Sequence, residues 1–416
     1  MKKLLSVAFF SGLLTLAKMG SGFIIAKVVA IYTGPSGMAM LGQIQSIVAS
    51  LNGIVNAPVS SGIVRYTAEF EKEGMEGCAP WWKASLWWLA IILCILMPVG
   101  FFFAPTLSNF LLSDPNYVWV IFVAVASLPI AALGTLVNSV INGYQQYKRF
   151  VMLGAISTAF SCVLMITLIV NFGIKGALLA AAVQSGLIGI ILIFSVLRQP
   201  WLKLSYWWGG TDRLHKKKIG SYVLMAITTS LTTPMALIGV RNILISHVGW
   251  EGAGQWQSVW KISEVYLGVI TIALSTYYLP KLSTLRGVKN IRAEINQTAK
   301  IIVPIAAIMA LGVYLFRDLA ISLLFTEEFR SARELFAVQL IGDVIKIVSW
   351  LYAYPMLSRG ATKWFVSTEI VFSITLVIFT YIFVPFYSTQ GANISYVVNY
   401  SFYLIFVVTF FSRYSR

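Results

Sequence analysis

Long apolar runs separated by short charged loops constrain this chain more than any other feature. A helix needs about 20 apolar residues to cross the hydrocarbon of a bilayer. Runs of that length occur twelve times, at about 6–31, 37–58, 84–103, 117–141, 150–171, 176–197, 219–246, 254–279, 300–323, 334–357, 364–386 and 391–412. Strands of a membrane barrel would instead alternate over about ten residues, and these runs do not. With 58% hydrophobic and 11% charged residues, a soluble globular protein is excluded. The expected fold is an all-α polytopic membrane protein with twelve transmembrane helices.

The loops set its orientation, because Lys and Arg are retained on the cytoplasmic side. Placing both termini inside puts 22 of the 31 cations there, Lys2, Lys3 and Arg416 among them, and four outside. The net charge of +16 is thereby a matter of topology, and nucleic acid is not an expected partner. The opening Met1-Lys2-Lys3-Leu4-Leu5 has the basic head of a signal peptide, but no small-residue cleavage site follows. An uncleaved first span is expected. Cys78, Cys94 and Cys162 are too scattered for a disulfide framework or a zinc motif.

A pattern recurs half a chain apart. Lys27, Gly34-Pro35-Ser36-Gly37 and Gln43-Ile44-Gln45-Ser46 are echoed by Arg241, Gly249-Trp250-Glu251-Gly252 and Gln255-Trp256-Gln257-Ser258. The chain is therefore read as two six-helix bundles, 1–198 and 219–416, joined by a cytoplasmic linker at 199–218. Six spans is an even number, so the second bundle starts on the same side as the first, as parallel repeats do. The linker carries Trp201, Trp207 and Trp208 beside Lys216-Lys217-Lys218, and is expected to rest on anionic headgroups.

Eight ionisable side chains interrupt the spans: Lys18, Lys27, Arg241, Lys261, Glu264, Asp343, Lys346 and Glu369. Each costs about 3 kcal/mol near a helix centre, on the order of 24 kcal/mol if all faced lipid. They are expected to line a shared hydrated interior instead, where five bases against three acids favour an anionic ligand. Lys18 and Lys27 fall on opposite faces of a straight helix, so lining one cavity requires a bend, for which Gly20-Ser21-Gly22 is the expected place. Lys261 with Glu264, and Asp343 with Lys346, share a helix face as potential salt bridges. Glu369 has no base one turn away on its own helix, and Lys18 or Lys261 could pair with it across helices. Prolines at 58, 129, 234, 304 and 355 mark expected bends.

No Walker-type loop, Gly-x-Ser-x-Gly elbow or His-Glu-x-x-His is present, and His215 and His247 stand alone. No cofactor, metal or catalytic residue is expected, and the chain is not read as an enzyme.

Four stretches carry a family resemblance: Lys18 through Gly34-Pro35-Ser36-Gly37 to Gln43, QWQSVWKISEVYL at 255–267, YYLPKLS at 277–283 and ELFAVQLIGDVIKI at 334–347. They resemble the Wzx-type flippases of lipid-linked oligosaccharides, whose members carry O-antigen or enterobacterial common antigen units. This group belongs to the multidrug, oligosaccharidyl-lipid and polysaccharide exporter superfamily. The resemblance implies two six-helix bundles around a central cavity. It also implies transport of an undecaprenyl-pyrophosphate-linked oligosaccharide from the cytoplasmic to the periplasmic leaflet of the bacterial inner membrane, coupled to H+ or Na+. A polysaccharide polymerase, a chain-length regulator and membrane lipids are the partners it implies. The resemblance carries over onto Lys18, Lys27, Asp343, Lys346 and Glu369, and the substrate-binding residues expected in this chain are Lys18, Lys27, Arg241, Lys261 and Lys346. Glu264, Asp343 and Glu369 are the ion-coupling candidates. One member of the family carries Asp at the position of Glu264 and no base at that of Lys261, so the resemblance does not extend to Lys261. Rival readings are a cation-coupled drug exporter of the same fold, which would favour an acidic cavity, and a membrane enzyme, which would need a sizeable outer loop. A scaffold without transport would explain neither the buried charges nor the repeat.

Overall fold

The structure, a computed structural model, describes residues 2–415, with side chains from Gly12 onward except Ser221, Tyr222, Met225 and Thr276. Met1, Arg416 and the side chains of Lys2 and Lys3, counted above among the inner cations, lie outside the described residues. The helices are α1 (Lys2–Asn56), α2 (Ser61–Phe70), α3 (Gly74–Phe102), α4 (Ala104–Leu112), α5 (Val118–Gly143), α6 (Tyr147–Val196) and α7 (Arg213–Ala273). They continue with α8 (Leu279–Thr284), α9 (Val288–Leu315), α10 (Arg317–Leu324), α11 (Phe336–Ser358), α12 (Thr362–Tyr387), α13 (Thr389–Thr409) and α14 (Phe411–Tyr414). Among the described residues there is no strand, and eight helical stretches are long and apolar enough to cross a membrane. Helices suit that setting because each satisfies its own backbone N–H and C=O groups where no water can.

Three of the longest helices are broken by a glycine with positive φ: Gly34 in α1, Gly173 in α6 and Gly249 in α7. These breaks reveal the repeat more clearly than the side chains do. Gly34 (φ 63, ψ −168) matches Gly249 (φ 76, ψ 177). Gly173 (φ 56, ψ −132) matches Ser388 (φ 50, ψ −138), and Gln145 (φ 52) matches Gly360 (φ 64). All three pairs are separated by the same 215 positions, and Gly74 and Gly287 make a fourth pair within two residues of that spacing. A left-handed backbone is costly for residues with a Cβ, so its recurrence at one spacing marks a duplicated backbone plan.

That spacing corrects the register expected from sequence. It pairs Lys27 with Asn242 and Ala26 with Arg241, so the two cations are neighbours in the repeat and not equivalents. Burial agrees: Ala26 and Arg241 are both buried, whereas Lys27 and Asn242 are both half-buried. Nor does α1 break at Gly20-Ser21-Gly22; its non-helical residue is Gly34.

The chain divides into two compact units: Met1–Tyr32 with Gln43–Pro234, and Thr33–Gly42 with Met235–Arg416. In unit 1, α5 and α6 close over small residues, as membrane helices do. Gly134 lies against the backbone of Gly189, leaving no room for a Cβ at either position, and Ser127 Oγ donates to the carbonyl of Ala182 at 3.1 Å. The linker is part of the same unit. Trp207 stacks on buried Trp82 at 4.8 Å and donates from its indole to the Trp201 carbonyl. Thr211 Oγ1 donates to the carbonyl of Pro80 at 3.0 Å, and Trp88 Nε1 to that of Lys216 at 2.9 Å. The expectation of a headgroup-resting linker is corrected accordingly: Trp201 and Trp207 are protein core, and of the three indoles only Trp208 is exposed.

In unit 2, α11 packs against α13 where Gly342 lies under the ring of Tyr396, and Gly254 of α7 lies against the carbonyl of Pro35. Neither glycine leaves space for a Cβ. These close approaches bring the polar side chains of α7, α11 and α13 together.

Candidate functional site: a carboxylate and a caged lysine in unit 2

Polar residues on α7 and α11 recur every three or four positions, which puts them on one helix face. Gln257, Lys261 and Glu264 do so on α7, and Gln339, Asp343, Lys346 and Trp350 on α11. On α13, Tyr396 and Tyr400 follow the same rule. Packing turns the faces of α11 and α13 toward Asp343, which is fully buried, while α7 meets it with its other side, at Ser263 and Tyr266. Its Oδ2 accepts from Ser263 Oγ at 2.7 Å and Tyr266 OH at 2.6 Å. Its Oδ1 accepts from Tyr396 OH at 2.9 Å and Gln339 Nε2 at 3.2 Å. Four donors surround one carboxyl, the arrangement that best compensates a buried negative charge.

Lys346, one turn along α11, is not salt-bridged to Asp343; no ion pair joins them among the described residues. Its ammonium instead lies 4.9 Å from the ring centroid of Trp350, 5.2 Å from Tyr400 and 5.5 Å from both Trp260 and Tyr396. Four aromatic faces thus take the place of a direct counter-ion, each offering the negative side of its quadrupole. Three carboxylates are within electrostatic reach of it, Asp343, Glu264 and Glu369. Glu369 is therefore within electrostatic reach of Lys346, a partner other than the Lys18 or Lys261 considered from sequence.

The expected bridge between Lys261 Nζ and Glu264 Oε2 is present at 3.2 Å, half-open to its surroundings with side-chain exposures of 30% and 46%. Trp260 Nε1 also donates to Glu264 Oε1 at 3.2 Å, which ties this pair to the ring box. Arg241 is only 1% exposed. Its Nη1 donates to Gln257 Oε1 at 2.7 Å, close against Gly42. Here it has no surface to offer a ligand. Lys18 is exposed and Lys27 half-buried, both in unit 1. Unit 2 therefore gathers Arg241, Lys261, Glu264, Asp343, Lys346 and Glu369, while the other two cations belong elsewhere.

Sequence reasoning missed the hydroxyl shell and the rings. Trp260, Trp350, Tyr396 and Tyr400 are not singled out by it, since an aromatic in an apolar run carries no sign of its neighbour. The available signal was spacing: Trp350 stands four residues after Lys346, and Gln339 four before Asp343. Among the described residues no cluster of His, Cys, Asp or Glu is arranged to hold a metal ion.

No family model matches the sequence. The chain is 27% identical over 391 residues to a lipid III flippase of Escherichia coli (strain K12), covering 94% of this chain and 93% of that one. Among solved structures it is similar to an inward-facing multidrug resistance MATE family transporter of the MOP superfamily, with a TM-score of 0.76 at 17% identity. That match covers 96% of this chain and 95% of the other. It is also similar to the lipid II flippase MurJ in an inward closed conformation, with a TM-score of 0.70 at 15% identity, covering 99% and 90%. The chain has the helical fold that these multidrug transporters and MurJ share.

Proposed function

We propose that this protein flips an undecaprenyl-pyrophosphate-linked oligosaccharide, an O-antigen-type repeat unit, from the cytoplasmic to the periplasmic leaflet of the bacterial inner membrane. The observation that carries this reading is the 27% identity to a lipid III flippase along nearly the whole chain. The five bases against three acids within the spans support it. A pyrophosphate entering hydrocarbon loses its water, and charged donors must replace that hydration. Lys18, Lys27, Lys261 and half-buried Lys346 retain surface for this task. Arg241 acts from behind, holding the polar framework. No covalent bond changes; the cycle is one of alternating access. Coupling to H+ or Na+ is assigned to Glu264 or Glu369, since every oxygen of Asp343 is already engaged by two donors.

The test is the lipid pool of cells lacking the gene. Accumulation of an undecaprenyl-linked oligosaccharide in the inner leaflet, relieved by the wild-type gene, is the expected result. An unchanged lipid pool together with lost efflux of an amphipathic cationic dye would replace this reading with a drug exporter. A second reading, in which lipid III is the cargo, is favoured by the substrate named for the E. coli relative. The sugars on the accumulated lipid separate the two.

A further inference from the structure

The box around Lys346 is built as a receptor for a cation, and its occupant is covalently attached. Rings of Trp260, Trp350, Tyr396 and Tyr400 lie within 5.5 Å of one ammonium, with Asp343, Glu264 and Glu369 in electrostatic reach. Aromatic faces backed by carboxylates are the arrangement that takes organic ammonium ions from water. The duplicated plan shows that the fold does not require it: 215 positions earlier stand Gln45 for Trp260, Ala131 for Lys346, Thr135 for Trp350, Ala181 for Tyr396 and Ser185 for Tyr400. In unit 1 this place is taken by half-buried polar Gln45, Thr135 and Ser185 with buried Ala131 and Ala181, so the rings and the ammonium are particular to unit 2.

We propose that this ring box is a binding site for small organic cations and that Lys346 is its tethered occupant, a specificity-determining residue that shuts such cations out. The inference concerns binding in unit 2 and stands whether or not the cargo is a lipid-linked sugar. Lys346→Ala retains Cβ, so propylammonium supplies the atoms removed, and 1-propanol is a neutral probe of nearly the same shape.

The experiment uses the full-length purified protein and reads thermal stability, which a ligand of the folded state raises in proportion to its affinity. Propylammonium and tetramethylammonium are expected to raise the melting temperature of Lys346→Ala. Affinity for the former should be roughly tenfold or more above that of wild type, with no shift from 1-propanol. Adding Trp350→Leu to that variant should remove the effect. Equal responses of wild type and Lys346→Ala, or equal effects of propylammonium and 1-propanol, would overturn the proposal.

Because the alanine variant can fail to fold, a second measurement keeps Lys346 in place. An amine-reactive probe followed by peptide mass analysis should label Lys346 at least about tenfold more slowly than half-open Lys261, and Trp350→Leu should remove most of that protection. Labelling of Lys346 as fast as Lys261 in the wild-type protein would equally defeat it.

Discussion

Where unit 2 buries Asp343 among Ser263, Tyr266, Gln339 and Tyr396, unit 1 carries Leu128 among Val48, Leu51, Ala124 and Ala181 at the matching positions. All five of the latter are buried and apolar. The left-handed breaks that shape the backbone recur nevertheless, at Gly34 and Gly249, Gln145 and Gly360, Gly173 and Ser388. Backbone shape and core chemistry have therefore been specified separately. A plan set by a few glycine-type positions accepts either an apolar seam or a polar network, provided every member of the network is satisfied.

The sharpest way to break this comparison is to exchange its chemistry. Asp343→Ala removes the acceptor of four buried donors and is expected to cost roughly 1–3 kcal/mol for each donor left unpaired, seen as lost yield and a lower melting temperature. Leu128→Asp, which buries a carboxylate without donors, should cost at least as much; a neutral outcome would show that unit 1 has hidden polar partners. Next in size is the helix seam. Gly134→Leu should destabilise by about 1–3 kcal/mol through overpacking, whereas the same change at Gly312, where nothing is within 4 Å of the position, should leave thermal stability nearly unaltered.

Smaller effects sharpen the repeat itself. Ser388→Gly gives unit 2 the residue that unit 1 has at Gly173 and should stabilise by about 1 kcal/mol by relieving a positive φ, while Gly173→Ser should do the reverse in a denaturation series. Smallest in stability is Lys261→Ala, at less than about 1 kcal/mol because the bridge to Glu264 is half-exposed. Transport by that variant should still fall roughly tenfold if Lys261 meets the pyrophosphate; full flipping in a reconstituted assay would remove it from the substrate path.

Much of this was legible in the chain. Apolar length alone gives the helices, because lipid allows a spanning segment few alternatives, and Asp343 and Lys346 were conspicuous because charge is rare in such runs. Helix spacing also foretold the Lys261–Glu264 bridge. The Arg241 environment was not legible: from sequence it reads as the partner of Lys27, and only the spacing of the backbone breaks shows the one-residue offset that sends it into the core. Trp207 misled for a related reason. An indole beside lysines suits a membrane surface, and its stacking on Trp82 depends on a tertiary contact with no local trace.

The division of the chain crosses its own halves. Residues 33–42 of the first helix belong with unit 2, and residues 213–234 of α7 belong with unit 1. Each half of the gene thus encodes a piece that the other half needs for completion. During synthesis unit 1 is incomplete until the start of α7 has left the ribosome, and a coding sequence cut at the linker would yield two fragments that each lack a segment of the unit they mostly encode.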